Sequence, residues 1–251
     1  MRVTVIGCAG SYPGPDSAAS CYLLEAEHEG RTWRLLLDLG SGALGTLQQF
    51  LDPVELDGIV LSHLHADHCL DLCGLYVLRK YHPTGPQPRI PVWGPVDTAR
   101  RMAKAYDLDE DPGMNVEFDF RVHPDQHVFG PFTICAQRVA HPVTAYALRI
   151  ESGGRVLAYS GDTGMCAELV ETARDADLFL CEASFVEGRD NPPDLHLTGA
   201  EAGRAATASG ARKLVLTHIP PWHDRGAALA EAAGTYDGPT DLAMPGKVYD
   251  V

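Results

Sequence analysis

The segment Ser62–Cys69 carries four side chains that can bind a metal ion: His63, His65, Asp67 and His68. Imidazole and carboxylate groups are ligands of zinc, iron and manganese. His63 and His65 alternate, so on an extended chain they point the same way, whereas Asp67 and His68 follow a bend and can face a second centre. One tetrahedral ion rarely takes four ligands from so short a segment, so the spacing predicts two metal ions. The competing interpretation is a polar loop entering a helix, with Asp67 at the helix start.

Length and charge limit the classes of protein that this chain can represent. A chain of 251 residues is long enough for one large domain or two small ones, with a sizeable core. The formal net charge of −14 argues against broad nucleic-acid binding, which needs a basic surface. A small anionic substrate remains compatible with this charge, because bound divalent ions supply local positive charge.

The chain shows no sign of membrane insertion or export. No apolar run approaches the ~20 residues of a membrane-spanning helix, and residues 1–7 are typical of a strand rather than a signal peptide. The seven cysteines are scattered and odd in number, which favours reduced thiols and a cytoplasmic location. We expect Cys69 and Cys73, which flank the histidine cluster at helical spacing, to be small core residues rather than ligands.

Hydrophobic periodicity predicts a chain rich in sheet, in which each half begins with strands and continues with alternating strands and helices. The pattern alone supports an α/β or α+β fold. Strands are predicted at 2–7, 20–26, 33–38, 57–62, 90–93, 115–122, 126–129, 132–139, 145–150, 155–160, 178–181, 213–217 and 247–250. Helices are predicted at 42–51, 66–81, 95–106, 164–174, 198–209 and 224–233, with Pro95 in the first turn of the third.

Three further donors, His141, Asp162 and His218, each lie just beyond a predicted strand, as the first cluster does. Taken singly, a histidine after a strand is usually a surface or hydrogen-bonded residue, and an aspartate before a helix is usually a cap. With the first cluster they complete seven ligands, which is enough for two ions that share one bridging carboxylate. Their recurrence at the carboxyl ends of strands, where α/β sheets commonly bind ligands, favours a shared site.

The complete donor set resembles that of the dinuclear hydrolases of the metallo-β-lactamase fold. The resemblance spans almost the whole chain and implies a single domain, residues 1–251, built as a four-layer αββα sandwich of the α/β (α+β) class. By that resemblance the first ion is held by His63, His65 and His141, the second by Asp67, His68 and His218, and both by the bridging Asp162. Asp38, in the sequence Asp38-Leu39-Gly40, matches an aspartate that supports the site. Zinc is the expected metal, with manganese or iron as alternatives.

Two later residues, Glu182 and His196, narrow the type of hydrolase. Glu182 closes an apolar strand and can orient the His196 imidazole, which can then bind a phosphate oxygen or protonate a leaving alkoxide. The alternative for His196 is the flank of a helix whose Thr198 and Glu201 form a capping box, and both interpretations can hold. The pair resembles elements of the ribonuclease Z-like phosphodiesterase branch. We therefore predict phosphodiester hydrolysis, with Asp67, Glu182 and His196 as the catalytic side chains.

The interval between His141 and Asp162 argues against transfer RNA as substrate. Ribonuclease Z enzymes carry a long basic arm there, whereas here two predicted strands and a turn fill residues 142–161. The whole chain resembles bacterial atypical class II cyclic-nucleotide phosphodiesterases, which implies hydrolysis of 3′,5′-cyclic AMP, and as a second candidate cyclic GMP, to the 5′-nucleotide by a hydroxide held by the metals. The resemblance also suggests a homodimer.

The nucleobase of such a substrate is expected to stack on an aromatic side chain. Trp222, Phe185 and Trp93 are candidates, although each is expected to be a core residue rather than a stacking platform. Three alternatives stay open: a lactonase or thioesterase on the same site, a tRNA 3′-processing endonuclease, and a metal-binding protein without catalysis.

Overall fold

The computed structural model describes all residues from 1 to 251 and contains two mixed β-sheets. The first sheet has the strand order β15-β1-β3-β4-β5-β6-β7, with β2 beside β1. Its strands are β1 Arg2–Ala9, β2 Ala18–Ala19, β3 Cys21–His28, β4 Arg31–Leu37, β5 Gly58–Val60, β6 Ile90–Gly94, β7 Phe118–Val122 and β15 Val248–Asp250.

The second sheet has the order β14-β13-β12-β11-β10-β9-β8. Its strands are β8 Gln126–Phe129, β9 Phe132–Arg138, β10 Tyr146–Ser152, β11 Arg155–Tyr159, β12 Leu178–Glu182, β13 Leu214–Thr217 and β14 Thr240–Leu242. The helices are α1 Ala43–Leu47, α2 Ala66–Cys69, α3 Leu72–Lys80, α4 Thr98–Ala105, α5 Ala167–Thr172, α6 Gly199–Ser209 and α7 Arg225–Ala233, and Pro53–Glu55 forms a 3₁₀ turn.

Three apolar clusters hold four layers together. The cluster between the sheets joins residues of both, such as Tyr22 and Leu37 from the first and Leu148 and Leu180 from the second. A second cluster packs the outer face of the first sheet against α1, α3 and α4, and a third packs α5, α6 and α7 on the second sheet. The predicted αββα sandwich is therefore confirmed. None of its helices is both long and apolar enough to cross a membrane.

Each sheet contains a parallel run, β4 to β7 in the first and β11 to β14 in the second. Parallel strands bring their carboxyl ends to the same edge of a sheet, and loops that follow them share that edge. The segments after β5, β11, β12 and β13 therefore meet at one end of the sandwich, where the candidate donors lie.

Several predicted helix boundaries are wrong. The helix predicted at 66–81 is two helices, α2 and α3, since the Asp71 amide donates to Leu39 O at 3.2 Å and the Asp71 carboxylate accepts from Leu44 N at 2.8 Å. The helix predicted at 42–51 ends at Leu47. Pro95 lies three residues before α4 instead of opening it, and its carbonyl accepts the Thr98 hydroxyl at 2.6 Å. The short strands β2 and β14 were not predicted.

Candidate metal centre

The predicted donors converge at the carboxyl ends of the strands. The first four follow β5, whose chain passes through Ser62 into α2; His141 comes three residues after β9, Asp162 three residues after β11, and His218 directly after β13. All seven fall into two overlapping groups in which the donor atoms lie within 4.8 Å of one another. The groups are His63, His65, His141 and Asp162, and Asp67, His68, His218 and Asp162.

In the first group three imidazole nitrogens point at a common centre. His65 Nδ1 lies 3.0 Å from His63 Nε2 and 3.4 Å from His141 Nε2. Asp162 Oδ2 is 3.6 Å from His63 Nε2. Three nitrogens and a carboxylate oxygen so arranged are suited to surround one ion.

The second group is more deeply buried. His218 Nε2 lies 3.1 Å from His68 Nε2 and 3.1 Å from Asp67 Oδ2. The other oxygen of Asp162, Oδ1, is 3.2 Å from His68 Nε2. Asp162 thus directs one oxygen to each group, which is the arrangement that a bridging carboxylate requires.

The outer nitrogens of four of the five histidines, His63, His68, His141 and His218, are held by acceptors, so that their inner nitrogens face the two donor groups. His141 Nδ1 donates to the carbonyl of Leu195 at 2.9 Å. His63 Nδ1 donates to Ser62 Oγ at 3.1 Å, and His218 Nδ1 donates to Ser184 Oγ at 2.8 Å. The Ser62 hydroxyl donates its own hydrogen to Asp38 and the Ser184 hydroxyl donates to the His218 carbonyl, so both oxygens can accept from an imidazole. Such outer contacts fix the tautomer and orientation of metal-binding imidazoles. A role for Ser184 was not predicted. The only feature of the sequence that pointed to it is its position two residues after Glu182.

Asp38 supports the centre from below. Fully buried, it accepts hydrogen bonds from His68 Nδ1 at 2.7 Å, Ser62 N at 2.7 Å and the Tyr159 hydroxyl at 2.7 Å. Its backbone is left-handed, with φ of 57°, a conformation that non-glycine residues adopt at a cost. A Cβ at Gly40 would lie 1.9 Å from the Asp67 carbonyl oxygen, so the loop after Asp38 packs directly against the histidine segment.

The donor chemistry fits divalent cations. Burial would lower the pKa of His68, but Asp162 and Asp38 raise it well above its ordinary range, so these two carboxylates favour positive charge at this position. Burial would likewise raise the pKa of Asp162, yet His218, His68 and His63 hold it well below its usual range. Asp162 Oδ1 is buried without a hydrogen-bond donor. Buried carboxylates of this kind are stabilised by positive charge, which a divalent cation held between them and the imidazoles would supply.

Glu182 and His196 form a second buried pair beside the donors. His196 Nδ1 donates to Glu182 Oε1 at 3.0 Å, and the same oxygen accepts from Thr163 N at 2.8 Å. Burial lowers the pKa of His196, but the Glu182 charge and hydrogen bond outweigh it and raise the pKa to about 9. The capping box of Thr198 and Glu201 is also present, so both sequence-based interpretations of this segment hold.

The aromatic candidates occupy different environments. Trp93 is buried between the sheets as expected, with 3% of its surface exposed. Phe185 is partly buried with its ring centroid 5.1 Å from that of His196. The prediction that Trp222 is a core residue is wrong, because 59% of it is exposed. The prediction for Cys69 is confirmed, since it lies in the apolar cluster of the first sheet, with Cys73 packed against it.

Comparison with known proteins agrees with this geometry. A family model described as the beta-lactamase superfamily domain matches residues 33–219. Uncharacterized protein ML1173 of Mycobacterium leprae is 48% identical over 257 residues, which cover 100% of this chain and 89% of that protein. The probable metallo-hydrolase YhfI of Bacillus subtilis is 32% identical over 258 residues, with 100% of each chain covered.

A solved structure and a more distant relative extend the comparison. The crystal structure of YhfI, a metallo-beta-lactamase fold protein, superposes with a TM-score of 0.86 at 29% identity, covering 99% of this chain and 98% of that one. A ribonuclease Z of Myxococcus xanthus is 27% identical over 304 residues, covering 98% of this chain and 96% of that protein. The chain therefore belongs to the beta-lactamase superfamily. It is a metal-dependent hydrolase of the metallo-β-lactamase fold, in the branch that resembles ribonuclease Z.

Proposed function

We propose that this protein binds two divalent ions, with zinc as the expected metal, and hydrolyses a small phosphodiester, 3′,5′-cyclic AMP being the leading candidate. The observation that carries the proposal is the Glu182–His196 pair, which lies against both donor groups. Carbon-ester hydrolysis needs no proton donor of this kind when the leaving group is good, whereas a ribose alkoxide must be protonated as it leaves.

In the proposed hydrolysis the metal ions and the side chains around them have different roles. When bound, the two ions neutralise a phosphate oxygen and lower the pKa of water, so that hydroxide is available near neutral pH. Asp162 faces both groups and keeps them at a fixed separation, while Asp38 holds the His68 imidazole. No protein nucleophile is needed, and the Cys69 thiol is buried.

His196 is the proposed proton donor. Its Nδ1 is engaged by Glu182, so Nε2 is the nitrogen available to a substrate. With a pKa raised to about 9 by Glu182 against the opposing effect of burial, the imidazole carries its proton at neutral pH and gives it to the departing 3′ oxygen. Glu182 then stabilises the orientation of the ring without itself taking part in bond making.

A small substrate is favoured over transfer RNA. Between His141 and Asp162 the chain forms only β10, the turn at residues 153–154, and β11, with no inserted arm. The net charge of −14 also opposes contact with an extended polyphosphate chain. The homodimer expected from the family resemblance stays part of the proposal.

A substrate panel tests the proposal. Purified protein is assayed with cyclic AMP, cyclic GMP, linear dinucleotides, bis(p-nitrophenyl) phosphate, a lactone and a thioester, and its metal content is measured on the same preparation. We expect about two ions per chain and cyclic-nucleotide turnover that a chelator abolishes. Cleavage of bis(p-nitrophenyl) phosphate with cyclic nucleotides left intact would retain the phosphodiesterase class and reject the substrate. Turnover of the lactone or thioester alone would reject both the phosphodiesterase class and the cyclic-nucleotide substrate.

A further inference from the structure

Two exposed aromatic side chains, Tyr12 and Trp222, lie in contact on the His218 side of the metal centre. Their ring centroids are 5.1 Å apart with an interplanar angle of 35°. Exposure is 43% for Tyr12 and 59% for Trp222, and neither ring belongs to the three apolar clusters that stabilise the fold. The pair therefore presents apolar ring surface to solvent without contributing much to the core.

The loop that carries Tyr12 is fixed directly onto the His218 segment. The Ser11 amide donates to His218 Nε2, the nitrogen that faces the second donor group, at 3.4 Å, and Gly10 N donates to Ile219 O at 3.2 Å. A Cβ at Gly10 would lie 2.2 Å from the His218 carbonyl oxygen, so only glycine permits this approach. Ser11 has a left-handed backbone, with φ of 65°, and Tyr12 follows it.

Trp222 is anchored from the other side. It follows Pro220 and Pro221 in the segment that leaves His218, and a Cβ at Gly14 would lie 2.9 Å from Pro221 Cγ, so the two loops pack closely. The backbone thus holds both rings within a few residues of a metal-facing nitrogen. Aromatic rings carried on loops that contact a polar centre are suited to bind a substrate that joins an anionic group to an aromatic one.

We propose that Tyr12 and Trp222 form the stacking platform for the nucleobase of the substrate. The inference rests on the proposed function, because the cyclic phosphate of a nucleotide must occupy the donor groups while its base lies on the rings. Stacking is tolerant of base identity, since every base has an aromatic face. The platform therefore selects nucleotides over phosphodiesters that lack a base, and discriminates weakly between cyclic AMP and cyclic GMP.

The test compares two substrates with the same reacting group, cyclic AMP and methyl ribofuranoside 3′,5′-cyclic phosphate, which lacks the base. For Tyr12→Ala and Trp222→Ala we expect kcat/KM for cyclic AMP to fall about tenfold or more, as for loss of one stacking partner. The baseless substrate should be turned over as by the wild type. Trp222→Phe, which keeps an aromatic ring, should retain most of the wild-type kcat/KM for cyclic AMP. The matched control is Tyr81→Ala, which removes a ring that is 68% exposed elsewhere on the surface.

A binding measurement separates this inference from the proposed reaction. Trp222 is the most exposed of the three tryptophans, so stacking of 5′-AMP should quench protein fluorescence in the wild type and much less in Trp222→Phe. Quenching with no turnover of either substrate would reject the reaction and keep the platform. Equal losses on both substrates, or no quenching by AMP, would overturn the platform. A changed oligomeric mass in Trp222→Ala with unchanged KM for cyclic AMP would instead make the pair a contact between copies of the chain.

Discussion

Asp38 Oδ2 accepts a hydrogen bond from His68 Nδ1 at 2.7 Å, and both side chains are fully buried. This contact decides which nitrogen of His68 is free, because a carboxylate only accepts hydrogen bonds and therefore keeps the proton on Nδ1. Nε2 is then the nitrogen that faces Asp162, 3.2 Å away. The aspartate at the end of β4 thus acts on the metal centre through one imidazole.

Asp38→Asn should weaken metal binding while nearly preserving shape. The amide lacks the negative charge that orients His68, and loss of such outer contacts lowers metal affinity by about 10- to 100-fold. Titration of the metal-loaded protein with a competing chelator measures the change. Tyr159→Phe is the control, because it removes one hydrogen bond to Asp38 but leaves the charge, and it should cost less. Wild-type affinity in Asp38→Asn would show that the carboxylate does not support the metal.

The proposed role of His196 as proton donor predicts a dependence on the leaving group. His196→Ala should lower kcat for cyclic AMP by about 10²- to 10⁴-fold, because the ribose alkoxide then departs without general-acid assistance. Bis(p-nitrophenyl) phosphate, whose leaving group is a stable anion, should lose far less. Steady-state kinetics with both substrates measure the two ratios.

A matched variant controls for packing around the imidazole. Phe185→Leu changes the ring that contacts His196 edge-on at 5.1 Å but leaves the proton donor in place. It should affect the two substrates equally and by a small factor. Equal losses on both substrates in His196→Ala would assign the residue to substrate positioning rather than proton transfer.

The positions of the donors were predictable because they depend on a general property of sheets. Asp162 and His218 follow strands of the parallel run, whose carboxyl ends share an edge, and His141 follows β9, which runs in the same direction as β11. The break between α2 and α3 was not predictable, because it depends on Asp71, which bonds to residues nearly thirty positions earlier. The exposure of Trp222 was not predictable for the same reason. A tryptophan beside two prolines resembles a buried segment in sequence, and its exposure depends on tertiary packing.

The basic residues of α4 should steer anionic substrates toward His65. A cavity of about 610 Å³ is lined by His65, by the cations Arg100, Arg101 and Lys104, and by the carboxylates Asp97 and Glu110. Arg100 pairs with Asp97 at 3.0 Å, whereas Arg101 and Lys104 are in no ion pair. In a chain with a net charge of −14, a cavity lined by three cations and two carboxylates is a local exception that attracts anions.

Charge reversal with Lys104→Glu should lower kcat/KM for cyclic AMP several-fold at low ionic strength, and the loss should shrink in salt, which screens charges beyond about 10 Å at 0.1 M. The measurement is kcat/KM across a salt series. Lys213→Glu is the control, because Lys213 precedes β13 and so lies at the opposite end of that strand from His218. A salt-independent loss, or the same loss in Lys213→Glu, would contradict steering by α4.

His123 should make the fold sensitive to mild acid. Its Nε2 donates to the Leu61 carbonyl at 2.8 Å, and its Nδ1 is buried without a partner. Burial disfavours the charged ring and lowers the pKa from its ordinary 6.5 to about 4, although the Leu61 hydrogen bond acts in the opposite direction. Between these two values the unfolded chain binds a proton that the folded chain rejects.

The sign of the effect follows from this difference in protons bound. The stability that neutral His123 contributes is fully present above pH 6.5 and is lost as the pH falls toward 4. His123→Gln can keep a donor to Leu61 but cannot titrate, so it should lose less stability on acidification than the wild type. Between pH 7 and pH 5 the difference in unfolding free energy between the wild type and His123→Gln should shrink by about 1–2 kcal/mol. Urea unfolding of both proteins at each pH measures the two free energies of unfolding. Subtracting one from the other cancels the acid response of the other histidines, because both proteins contain them. Parallel curves for the two proteins would show that His123 does not titrate between pH 7 and pH 5.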